Sequence, residues 1–184
     1  MLRKVAKLVD MSRPPETTPI ATDSGERSCG GCTACCEGGL WDKSMKLSPG
    51  HACQHISAAG CGIYETRPEK PCRTFKCAWL TEGDEFPDEL RPDISGAIPV
   101  HDRDWYDWKV LRLYPRVAVV EPEVLAWFVD YAKPRQLPVI FYEHSWEGDD
   151  YKGMSEKALG PAKFAADVQK RPSDSDVFRS LTSD

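Results

Sequence analysis

The sequence predicts an α+β fold: a cysteine-rich module followed by a small sheet with a packed helix. Three observations carry this prediction. All eight cysteines fall within residues 29–80, a segment with little continuous aliphatic sequence. Three β-branched or aromatic runs bounded by turn signals follow it: "SGAIPV", "WKVLRLYPRVAVV" and "LPVIFYE". Between the second and third lies "EPEVLAWFVDYAKPR", whose apolar residues recur at helical spacing.

Taken in order, the chain divides into four segments. Residues 1–28 read as a short helix, ending before Pro14-Pro15, and a polar linker rich in Pro, Thr and Ser. Lys4, Lys7 and Asp10 interrupt its apolar positions, and no small-residue cleavage site follows, so it is not read as a secretion signal. No run approaches the roughly 18 apolar residues that span a bilayer. The expected address is cytoplasmic, where thiols stay reduced.

Residues 29–80 form the cysteine module. Such a segment cannot build an oily core and needs a staple. Residues 81–150 form an acidic α+β region that opens on the connector "TEGDEFPDELRP". Pro115 inside its second run predicts an edge strand, a bulge or two shorter strands. In its helix, Pro122 suits the first turn and Lys133 lies near the end before Pro134. Val124, Leu125, Phe128, Val129 and Tyr131 supply the apolar face. In residues 151–184, "SEKALGPAKFAADVQKR" predicts a helix broken at Gly160-Pro161, followed by a loose tail.

Of 184 residues, 24 are Lys or Arg and 29 are Asp or Glu, for a net charge of −5. There is no global basic field, so neither nucleic acid nor membrane is expected as a partner. The charge is uneven. Residues 29–80 hold six basic and four acidic residues, whereas residues 81–150 hold seven and sixteen. That asymmetry marks two regions and makes the acidic one a surface for a protein partner.

The cysteines are Cys29, Cys32, Cys35, Cys36, Cys53, Cys61, Cys72 and Cys77. A C-x2-C turn brings two sulfurs to one point, and Gly30, Gly31, Gly38 and Gly39 allow the close backbone approach this requires. On extended backbone, adjacent Cys35 and Cys36 point to opposite sides and would serve two metals. On helical backbone both reach one multi-iron cluster. The spacing leaves one centre or two open.

A disulfide framework is disfavoured in an unsignalled chain, and a catalytic thiol pair needs two cysteines rather than eight. Metal ions are therefore the expected partner. Zinc and iron both remain open. Cys29, Cys32 and Cys35 match the start of a bacterial ferredoxin run, but Cys36 follows at once where x3-Cys-Pro is expected. The second half is not the C-x2-C of a zinc ribbon.

His55, and less so His51, are candidates to replace a sulfur; His101 and His144 read as structural or solvated. Arg67, Lys70, Arg73 and Lys76 intersperse the last cysteines. A four-thiolate zinc site carries net −2, so Arg67 and Arg73 are candidate cofactor-binding positions that offset its charge and donate hydrogen bonds to sulfur. The alternative for them is a solvated charged face. No Ser/His/Asp set or acid/base carboxylate pair supports a hydrolase.

"CGGCTACC", "ACQHI" and "GCGIYETRPEKPCRTFKC" together resemble the YkgJ-like cysteine-cluster (CxxCxxCC) family, described as zinc- or iron-chelating domains. The resemblance covers about residues 29–80. All eight cysteines fall on the family's cysteines, Arg67-Pro68 on its RP signature and Arg73 on its CR signature. It implies a metal-chelating module linked to zinc or iron–sulfur proteins, and no settled reaction. Some larger relatives are flagellin lysine methylases. This chain has no glycine-rich strand-to-helix turn for a nucleotide-like methyl donor, so methyl transfer is not expected.

The expectation is a metal-binding protein that chelates zinc or iron, the latter as an ion or as an iron–sulfur cluster. One alternative is an iron–sulfur oxidoreductase or electron carrier. A second is a metal-stabilised protein-interaction module. Whether the chain is an enzyme is left open.

Overall fold

A computed structural model describes residues 27–101 and 104–170, and the backbone of residues 179–180. The helix and linker read over residues 1–28 lie, up to residue 26, outside the described residues, as does most of the C-terminal tail.

The fold is α+β. Within the cysteine segment, β1 (Ile56–Ser57) and β2 (Gly60–Cys61) form a two-stranded antiparallel hairpin. A five-stranded sheet follows, in the order β3 (Ala97–Val100), β4 (Leu111–Pro115), β5 (Val139–Glu147), β6 (Asp150–Leu159) and β7 (Arg179–Ser180). Its successive pairings are antiparallel, parallel, antiparallel and parallel. The helices are α1 (Ala78–Thr81), α2 (Pro92–Ser95), α3 (Pro122–Ala132) and α4 (Ala162–Lys170). None of the described helices is long and apolar enough to cross a membrane.

Strand period 2 sorts the side chains into two layers. Leu111, Leu113, Val139 and Phe141 face α3, where Phe128 and Ala132 are buried. Val110, Ile140, Tyr142 and Ala158 face α4 and its Phe164 and Val168. Parallel strands β4 and β5 cannot be joined by a tight turn, and α3 supplies the crossover. Pro115 occupies the last position of β4, opposite Ala97. It ends a central strand rather than marking an edge, because β3 and β5 flank β4. On α3, Trp127 joins the packed face and Val129 does not.

The helix expected over 155–171 forms only over Ala162–Lys170. Ser155–Leu159 is instead the end of β6, paired residue for residue with Val139–Glu143. The five-residue ladder and the Glu143–Lys157 ion pair at 2.6 Å across it outweigh the helix propensity of "SEKAL". Because β6 begins at Asp150, the β5–β6 hairpin runs across position 150.

The cysteine segment packs on the α3 side of the sheet. Ala34, Cys77, Ala78 and Trp79 belong to the same buried cluster as Ile98, Leu111 and Phe128. The connector that follows is pinned to α3. Phe86 is 0% exposed, and its ring lies 5.6, 5.5 and 4.8 Å from those of Trp127, Phe128 and Tyr131. Next to it, Glu85 accepts hydrogen bonds from Tyr131 (2.8 Å) and Arg135 (3.0 Å).

Candidate metal centre

Local backbone structure places the thiols. The Cys32 N–H donates to the Cys29 carbonyl at 2.8 Å and closes the first C-x2-C turn. The N–H groups of Cys36 and Glu37 both donate to the Thr33 carbonyl, starting a helical turn over Cys35–Gly39. The adjacent pair Cys35-Cys36 thus sits on helical backbone. Gly38 has φ +101, and a Cβ there would lie 2.6 Å from the Ser48 carbonyl oxygen. A Cβ on Gly39 would lie 2.2 Å from Ile98 Cδ1 and 2.8 Å from the Ala34 carbonyl oxygen. These two glycines let the turn press directly onto β3 and onto the 48–50 loop.

Three further stretches complete the group. The Cys53 N–H donates to the Cys36 carbonyl at 2.7 Å. The β1–β2 hairpin carries Cys61 back beside Ile56. Cys72 lies in a helical turn, and the Cys77 carbonyl accepts the Leu80 N–H that opens α1.

Seven of the eight thiols, those of Cys29, Cys32, Cys35, Cys36, Cys61, Cys72 and Cys77, line one cavity of about 100 Å³. Leu40, Leu47, Phe75, Trp79 and Leu80 form much of the remaining wall. Cys53 does not line it and is buried. None of the eight is in a disulfide. Among the described residues, no three His, Cys, Asp or Glu side chains are grouped so as to hold a metal ion as they stand. The donor set itself is all sulfur in an apolar wall, which is the chemistry of thiolate ligation to zinc or iron.

Burial dominates the titration of these thiols. It pushes Cys32 up to about 11 and Cys36 up to about 12, and Cys35 well above the ordinary thiol range. Cys29, Cys72 and Cys77 are raised for the same reason. Protonated thiols of this kind release protons when a metal binds them.

Of the two arginines singled out in the sequence, Arg67 lines the cavity and Arg73 does not. The Arg67 guanidinium lies 3.7 Å above the Tyr64 ring and donates to the Tyr64 carbonyl, while its Nε is buried without a partner. Its charge opposes the burial effect at both Cys29 and Cys72. Arg73 donates to the carbonyls of Arg67 and Glu65, at 2.9 and 2.7 Å, and so holds the loop that carries Arg67. His55 contacts Gln54, and His51 lies near Ser48; neither lines the cavity. His101 lies 3.2 Å from the Val110 carbonyl, and His144 donates to the Val117 carbonyl at 2.8 Å.

Sequence reasoning missed Asp93. Burial alone would raise its carboxyl, but the Arg91 ion pair at 2.6 Å and a hydrogen bond from the Cys32 thiol hold it below the usual range. Arg116 bridges the same region, pairing with Glu37 and donating to the Asp93 carbonyl at 3.3 Å. Thr33 also donates to Glu37, at 2.7 Å. The first cysteine turn is thereby tied to α2 and to the end of β4. Asp93 stands sixty-one positions after Cys32, and no local pattern connects them.

Comparison with family models, with curated proteins and with solved structures finds no match for this chain.

Proposed function

We propose that this chain chelates zinc or iron through its eight cysteines, and that the metal staples the segment 29–80, in keeping with the resemblance of that segment to the YkgJ-like cysteine-cluster family. The observation that carries this reading is the convergence of seven unpaired thiols, from three separated stretches of chain, on one small apolar cavity. Buried thiols attract neither water nor one another strongly, so packing alone gives little reason to collect so many. Thiolate–metal bonds do give one, because binding free energy is then folding free energy.

Cys29, Cys32, Cys35, Cys36, Cys61, Cys72 and Cys77 would hold the metal from the cavity wall, and Cys53, whose N–H is bonded to the Cys36 carbonyl, is the eighth candidate ligand. A bound zinc ion or iron centre would supply cross-links between the separate stretches that carry these thiols. Arg67 would offset the net negative charge of a thiolate set. The apolar wall would keep water away from the sulfurs.

The test is anaerobic purification, with an absorption spectrum, elemental analysis and acid-labile sulfide measured on one sample. Zinc in a colourless protein supports a structural centre. Iron with labile sulfide in a brown protein supports a cluster. Folded protein that contains neither metal and takes up neither contradicts the reading.

A further inference from the structure

We propose that residues 54–74 form a metal-dependent lobe: a bound metal closes them over the thiol cavity through Cys61 and Cys72, and its loss releases them while the first cysteine turn and the sheet stay folded. This inference rests on the metal-chelation reading above.

The lobe is bonded within itself. Ile56 pairs with Cys61 and Ser57 with Gly60 in the β1–β2 hairpin, and the Gly62 N–H donates to the His55 carbonyl at 2.8 Å. Arg73 reaches back to the Glu65 and Arg67 carbonyls, and the Arg67 guanidinium rests on the Tyr64 ring. Among the described residues, no hydrogen bond or ion pair joins residues 54–74 to any residue outside 53–75. None of their apolar side chains packs in or against either buried cluster, and Gly60 alone among them is buried. What the lobe does reach is the cavity, where Cys61, Tyr64, Arg67, Pro71 and Cys72 form part of the wall.

The turn that carries Cys32, Cys35 and Cys36 is held independently of the cavity. Ala34 is 0% exposed in the main cluster, and Cys32 and Cys35 pack against it. Glu37 pairs with Arg116 and accepts a hydrogen bond from Thr33, and Gly39 abuts Ile98 of β3. Both ends of the lobe are anchored as well. The Cys53 N–H is bonded to the Cys36 carbonyl, Phe75 packs against the main cluster and Cys77 lies in it. Residues 54–74 therefore span two fixed points with little of their own to hold them down. A two-stranded hairpin is marginal in water by itself, and segments with few buried apolar contacts open at low free energy. Ligation at Cys61 and Cys72 would turn binding free energy into order in this segment.

The experiment is hydrogen–deuterium exchange, resolved by peptide, on the reduced full-length chain stripped of metal and on the same chain reloaded with zinc(II), with bound zinc measured by elemental analysis. Reloading should slow exchange over residues 54–74 about tenfold or more, and leave residues 34–39 and strands β3 to β6 within about twofold. The double variant Cys61→Ser/Cys72→Ser, treated with zinc(II) in the same way, should exchange over 54–74 as fast as the stripped wild type, with the sheet still protected. Equal exchange over 54–74 in stripped and zinc-loaded wild type overturns the lobe while leaving chelation intact. So does protection of 54–74 retained in the double variant, or loss of sheet protection together with the lobe. A chain that retains no zinc overturns this inference together with the zinc form of the chelation reading.

Discussion

The Arg67 guanidinium lies 3.7 Å above the Tyr64 ring, with its Nε buried and unpartnered beside the thiol cavity. A buried N–H without an acceptor costs free energy, and a thiolate would remove that cost. Arg67→Lys keeps the charge but loses the planar fork. It should lose metal to a competing chelator about tenfold more readily than wild type, and Arg67→Gln more readily still. Retention equal to wild type in both variants would place Arg67 outside the site's support.

Phe86 joins the acidic connector to α3 through three ring contacts in a fully buried position. Phe86→Ala should lower stability by about 3–5 kcal/mol, read from the denaturant midpoint. Because the connector follows directly on α1, the variant should also hold metal less firmly. A loss under about 1 kcal/mol would mean that the rings repack around the gap.

Gly39 tests whether the cysteine turn must press on β3. Its backbone is ordinary, so space alone decides. In Gly39→Ala the new methyl meets Ile98 Cδ1, on a fully buried core side chain, and the Ala34 carbonyl oxygen at 2.8 Å, which cannot move without shifting the turn. The expected cost is about 1–3 kcal/mol in the same denaturant assay. Unchanged stability would show that the turn is free to lift from the strand.

His144 gives the sheet a pH dependence independent of the thiols. Burial lowers its pKa below the ordinary 6.5, against the opposing hydrogen bond to the Val117 carbonyl. The unfolded chain therefore takes up a proton first as the pH falls. Its contribution is complete above pH 6.5 and is lost as the pH drops from there through the lower folded value. Urea unfolding between pH 8 and pH 5 should show this loss, and His144→Gln should flatten it. An equal slope in the variant would assign the dependence to other groups.

Strands β3, β4 and β5 were legible as β-branched or aromatic runs bounded by turn residues, and helix α3 because its apolar residues recur at helical spacing. Ser155–Leu159 was not. Its residues favour a helix in isolation, and only the partner strand Val139–Glu143 decides otherwise. Pro115 was legible as an interruption, but its place at the end of a central strand depends on which strands flank it. The eight cysteines and Arg67 stood out by spacing and signature. The tertiary contacts of the turn did not: Cys35 packs against the core and the Cys36 carbonyl accepts the Cys53 N–H, and both follow from how distant segments pack. Asp93 was equally hidden, since its contact with Cys32 exists only after α2 packs against the first turn.

The most direct test of chelation is X-ray absorption at the metal edge of the anaerobically purified protein. The account predicts a shell of sulfur alone, at about 2.3 Å for zinc. A shell of nitrogen and oxygen would contradict it.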